Sequence, residues 1–101
     1  MVISREISVD IMKYLQNKKG LSIADIAKAM STSPEFIQFV IEGKLPLTSD
    51  HVNNLTHNMN IRFWQLADDA IPDNHLPPKV LKKVKICKEI SEHIEKSKNK
   101  F

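Results

Sequence analysis

One cysteine, two glycines and few aromatic side chains in 101 residues exclude a good deal before any motif is read. A single thiol cannot build an intramolecular disulfide framework or a multi-cysteine zinc site. Hairpins and bulges draw on glycine, so its scarcity argues against an all-β chain. No apolar run approaches the ~18 residues of a membrane span. The opening MVISREISVD carries charges where a signal peptide needs its apolar stretch. A reducing cytoplasm is the expected compartment. Nothing has the look of a nucleophile–base pair, a glycine-rich phosphate loop or a metal-site spacing, so neither an enzyme nor a cofactor is expected. What is present is a balance of 42% apolar and 27% charged residues, the composition of one ordinary globular domain.

The net charge of +3 hides an asymmetry. Residues 1–78 hold 7 Lys+Arg against 9 Asp+Glu, a net of −2. Residues 79–101 hold 8 lysines against 3 glutamates, a net of +5. Basic surface points to nucleic acid, and here it does so through the C-terminal end alone. A lysine-rich helix kept soluble by its own charge is the plain alternative for that segment.

Hydrophobic periodicity is helical throughout. Ile3, Ile7, Ile11 and Leu15 recur every fourth residue, and Lys18-Lys19-Gly20 closes the stretch. A second helix opens at Ser22, whose hydroxyl caps a free backbone N–H while Asp25 reaches back. Its inward face is Ile26, Ala27 and Met30. Ser31-Thr32-Ser33 interrupts the pattern, and Ser33-Pro34 restarts it as N-cap and first helical residue. Ile37 and Val40 face the core of this third helix, which Gly43 ends. A fourth starts at Thr48 and buries Val52, Leu55 and Met59. A short fifth carries Phe63, Trp64, Ala67 and Ile71. Pro72 to Pro78 reads as a linker, because proline cannot occupy a helix interior. A last helix follows from about Pro78 to Lys98.

The stretch Ile23 to Glu42 has the spacing of two short helices joined by a turn, with Ile26, Met30, Ile37 and Val40 as facing apolar positions and Ala27 as the small residue between them. Together with Gly20-Leu21-Ser22 before it and Gly43-Lys44 after it, the ungapped run Leu21 to Leu66 resembles the lambda-repressor/Cro-like (XRE) family. The resemblance implies an all-α, compact five-helix lambda-repressor-like helix-turn-helix domain over residues 1–71, followed by a C-terminal amphipathic helix. Leu47-Thr48-Ser49-Asp50 also resembles small XRE-type antitoxins. In the family the second motif helix enters the DNA major groove. The resemblance therefore implies base contacts from Pro34, Glu35, Phe36, Gln38 and Phe39. It implies phosphate contacts from Ser22, Ile23, Thr32, Ser33 and Lys44.

Several positions depart from that pattern. Of the reading residues, only Gln38 offers the donor–acceptor pair suited to adenine. Leu21 to Lys44 holds two lysines against three acids, an unfavourable balance for phosphate. The family's paired arginine and glutamate are Gln16 and Ile41 here. Its turn glycine is Ser31, which accepts a left-handed backbone at a cost of about 1 kcal/mol.

The remaining candidates have plain readings. Phe63 and Trp64 fall at the family's core positions. Asp68 and Asp69 read as a solvated helix end. Glu89 and His93 lack a third ligand for a metal. On the last helix, Val80, Val84, Cys87 and Ile94 follow an approximate 3.5-residue seam with Leu81 and Ile90 beside it, and must be covered by the domain itself or by a second copy. Lys79, Lys82, Lys83 and Lys85 crowd its first half as phosphate or partner contacts. The expected function is a small homodimeric regulator binding double-stranded DNA, with an acidic, aromatic recognition helix. The alternative is a helix-turn-helix domain turned to protein interaction, such as an antitoxin with its toxin, with little or no DNA binding.

Overall fold

The periodic segments form helices, and short polar residues start them. The computed structural model describes residues 2–98, with side chains through Ile94. Among the described residues there are six α-helices: α1 Arg5–Asn17, α2 Ile23–Met30, α3 Pro34–Ile41, α4 Ser49–Met59, α5 Phe63–Ala70 and α6 Pro78–Lys98. Ser4, Ser22, Ser33 and Thr48 each accept a hydrogen bond from a backbone N–H of the helix that follows. Each satisfies one donor that the helix start leaves without an internal partner. Ser22 and Asp25 form the reciprocal capping box that their spacing predicts. Pro34 is the first residue of α3.

The core is the meeting point of α1 to α5. Ile11 and Leu15 of α1, Ile26 and Met30 of α2, Ile37 and Val40 of α3, Leu55 of α4 and Leu66 of α5 are all fully buried. Leu47 joins them from the α3–α4 connection. That connection is held beneath α1 by a buried serine. The Ser8 hydroxyl donates to the Ser4 carbonyl at 2.8 Å and accepts from the Leu47 N–H at 2.9 Å. Buried polar groups cost about 1–3 kcal/mol when left unpaired, and here both are paired.

Two turns use left-handed residues other than glycine. Ser31 at the end of α2 has φ 58° and Asn60 at the end of α4 has φ 54°. In both, backbone N–H groups fold back onto carbonyls of the last helical turn. The end of α2 gains two further donors from α4. Asn54 Nδ2 donates to the Met30 carbonyl at 3.3 Å, and Asn58 Nδ2 to the Ala29 carbonyl at 2.7 Å. These bonds fix where α2 stops and α3 begins.

Three details differ from the sequence expectation. Phe63 is 46% exposed, because α5 buries Leu66 and Ala67 instead and its first residue lies at the rim. Residues 72–78 are folded rather than open: Asp73–His75 form a 3-10 turn, Leu76 is buried, and His75 lies between two carboxylates of α1. Asp68 and Asp69 are not simply solvated. Lys88 of α6 lies 3.2 Å from Asp68, and the Tyr14 hydroxyl donates to Asp69 at 3.3 Å.

The first half of α6 docks on α5. Val84 is buried, while Val80 and Leu81 pack half-buried on the core. A 21-residue helix is about 31 Å long, and the domain extends 48 Å along its long axis and 28 and 23 Å across. The end of the 79–101 segment, with the side chains of Lys96, Lys98 and Lys100, lies outside the described residues.

Candidate nucleic-acid interface

The outward side of α3 is positioned by what lies beneath it. Ile37 and Val40 anchor its inner edge in the core, so Glu35, Gln38 and Phe39 stand on the opposite edge. Ser22 and Ser33, the caps of α2 and α3, are exposed, and Thr32 is half-buried in the turn before Ser33. Helix starts present partly positive backbone N–H groups, which suit phosphate. The turn thus joins Thr32 and Ser33 to the exposed edge of α3 that carries Glu35, Gln38 and Phe39, while Ser22 stands at the far end of α2.

Phe36 is placed differently. Its ring packs half-buried against the core and stacks on His51 of α4, with centroids 4.7 Å apart. His51 Nδ1 in turn accepts from the Thr48 N–H at 3.1 Å, which holds the imidazole at the start of α4. Phe36 therefore braces α3 against α4.

The polar groups along the far end of α3 are already engaged with one another. Gln38 Nε2 donates to Glu42 at 3.2 Å, and Lys44 Nζ lies 3.1 Å from the same carboxylate. Lys44 also sits 5.9 Å from the centre of the Phe39 ring. Hydrogen bonds from Lys44 and then Gln38 lower the Glu42 carboxyl below its ordinary pKa. Sequence reasoning missed Glu42, although its spacing of four from Gln38 was a readable signal. Phe39 remains 44% exposed.

The lysines of α6 form a second polar surface. Lys79, Lys82, Lys83 and Lys85 are exposed, and Lys85 Nζ lies 3.7 Å from Asp73. Lys79, Lys82 and Lys83 make no ion pair among the described residues. Lys88 is held by its hydrogen bond to Asp68, which raises its pKa.

A trough of about 370 Å³ runs between the start of α5 and α6, lined by Arg62, Trp64, Cys87, Ile90 and Ile94 among others. Cys87 is half-buried there. Of the seam read from sequence, Val80, Leu81 and Val84 are taken up by the domain, whereas Ile90 and Ile94 remain exposed. Among the described residues no three His, Cys, Asp or Glu side chains converge as a metal site, and no helix is long and apolar enough to cross a membrane. Compared with protein-family models, curated proteins and solved structures, the chain has no match. Function has to be argued from its own residues.

Proposed function

We propose that the chain is a small, non-enzymatic regulator that binds double-stranded DNA through α2, the turn at residues 31–33 and α3, in the manner of the lambda-repressor/Cro-like proteins it resembles. The observation that carries this reading is the pose of α3. A short helix is pinned along one edge and bared along the other, and its start, like that of α2, is capped by an exposed serine. Such a helix can lie in a major groove while the helix starts hold flanking phosphates. Thr32 and Ser33 supply hydroxyls for the backbone, and Gln38 the bidentate group for a base edge. Gln38 must leave Glu42 to do so, and Lys44, paired with the same carboxylate just beyond the end of α3, is the cation closest in sequence to the helix. The lysines of α6 supply much of the remaining positive charge.

A second reading is favoured by one feature of that surface. Glu35 and Glu42 outnumber Lys44, and Phe39 stands nearly half bare beside them. An aromatic ring among mixed charges is the composition of a protein-docking patch, and an antitoxin-like role would use it that way. Recovery of genomic fragments on the purified chain at low and moderate salt separates the readings. Enrichment of a defined sequence is expected, and its absence at both salts would leave protein docking. Phe39→Gln sharpens the test. On DNA the ring offers only an apolar contact with a thymine methyl, so affinity should hold or rise. A protein partner losing that ring should lose about 2 kcal/mol or more.

A further inference from the structure

Among the described residues of α6, Val84 alone is buried. The helix leans on α5 along a narrow line, and a cavity of about 560 Å³ stays open between it, the end of α4 and the start of α5. Trp64, Val80, Val84 and Cys87 line it, with the exposed Phe63 beside them, and its walls are almost wholly apolar. That volume falls within the roughly 300–1,000 Å³ of small-molecule sites, which pair apolar walls with a few polar groups that fix the ligand.

The charged groups here are of one sign. Arg62 and Lys83 belong to the lining, and no carboxylate joins them. Both are exposed, and neither forms an ion pair among the described residues. The nearby acids are committed elsewhere: Asp68 and Glu92 share another cleft with Lys88, and Asp69 accepts from Tyr14. The adjoining trough along Trp64 and Ile90 shares Arg62 and holds no acid either. Long basic side chains lay their stems on apolar surface and keep their charged ends at water. Such a rim repels a cationic ligand, offers a neutral one nothing, and favours an anionic end on an apolar body. The planar guanidinium of Arg62 matches the two oxygens of a carboxylate.

We propose that this cavity binds a medium-chain carboxylic acid, its apolar body against Trp64 and Val84 and its carboxylate between Arg62 and Lys83. None of the lining residues belongs to α2 or α3, so the site stands whether α3 contacts DNA or a protein.

Trp64 is the only tryptophan of the chain, so its fluorescence reports on the cavity directly. Titration of the full chain, without DNA, with decanoate below its micelle concentration should change that emission saturably. Decanol has the same body without the charge, and should bind about tenfold more weakly. Decylammonium should bind more weakly still. Arg62→Gln combined with Lys83→Gln should weaken decanoate by about tenfold or more and leave decanol unchanged. Both side chains are exposed, so the helical circular dichroism should persist. No saturable change with decanoate would overturn the proposal. So would decanol binding as tightly as decanoate, or a double variant that holds decanoate as well as the native chain does.

Discussion

Along the outer edge of α3 and its exit stand two acids and one lysine, and Glu42 is bound to Lys44 and Gln38. Along the first half of α6, five lysines stand with no acid between them. One surface is a short helix with a bared outer edge and little positive charge. The other has the charge but, among the described residues, no partner helix to pose it in a groove. Shape and charge have been separated in this domain, and each comes from a different physical source. The pose of α3 follows from buried apolar anchors and from caps. The charge of α6 follows from composition alone, and its position depends on how the 72–78 segment ties the helix to α1 and α5.

The largest expected effect separates the two edges of α3. Ile37 is fully buried on the side of α3 that packs on α1 and α2, so Ile37→Ala should cost about 3 kcal/mol through lost burial and the cavity left behind. Phe39→Gln, on the opposite edge, should change stability by no more than about 0.5 kcal/mol. Urea titrations of the two variants check both values. Equal losses would mean that Phe39 is covered in solution and that α3 has no free edge.

Positive charge on α6 gives the next effect. Each lysine that neutralises a phosphate contributes about 0.9 to the slope of log affinity against log salt. Replacing Lys82, Lys83 and Lys85 with alanine should therefore flatten that slope by up to about 3 on duplex DNA. Fluorescence anisotropy across a salt series measures it. An unchanged slope would show that these lysines point away from the DNA and that α3 binds without their help.

Much of this division was legible in the sequence. Capping is local, so Ser22 with Asp25, Ser33 with Pro34, and Thr48 could be read directly and are found in those roles. The left-handed residue at Ser31 followed from the resemblance, which puts a turn glycine at that position, and is found there. Contacts between distant segments were not legible. Leu47 lies in a connection with no periodicity to mark it, yet it is fully buried. Asn54 and Asn58 look like ordinary exposed polar residues of a helix, and only the fold brings them to the carbonyls of α2. Phe63 misled because the resemblance puts it at a core position, while a helix as short as α5 has room for few inward positions. On α6 the period was right but two apolar stripes overlapped, and the sequence could not say which one the domain would cover.

The junction between the two surfaces titrates. His75 Nδ1 lies 2.6 Å from Asp10 and Nε2 lies 2.6 Å from Glu6, both carboxylates of α1. A neutral imidazole has one N–H and can donate to only one of them, whereas the imidazolium donates to both. The hydrogen bond to Asp10 is the main cause that raises the His75 pKa above its ordinary 6.5, desolvation opposes it, and the charges of Asp10 and Glu6 add to it. The folded state thus binds this proton more tightly than the unfolded chain. Its stabilisation is complete below about pH 6.5 and is lost as pH rises through the raised folded value. Thermal melts from about pH 6 to pH 8 should show falling stability, and His75→Gln should remove most of that slope. A slope that survives the substitution would place the titrating group elsewhere.

The smallest effect concerns the turn that sets α3 on its course. Ser31 and Asn60 adopt nearly the same left-handed backbone, at φ 58° and 54°, at the ends of α2 and α4. Serine carries a Cβ into that region with little compensation, at a cost of about 1 kcal/mol, whereas asparagine enters it more readily. Glycine has no such penalty, although it loses more freedom on folding. Ser31→Gly should therefore raise stability by up to about 1 kcal/mol, and Asn60→Gly by appreciably less. For a domain of this size the Ser31 gain is up to about 4–8 °C in Tm. Melting curves of the two variants give the comparison directly. If Ser31→Gly instead lowers Tm, the serine side chain contributes a native contact that outweighs its backbone strain. The α2–α3 turn would then be stiffer than its backbone bonds alone make it. If the gain appears with DNA affinity unchanged, the pose of α3 is set by Ile37, Val40 and the two asparagines of α4, and the turn merely follows them.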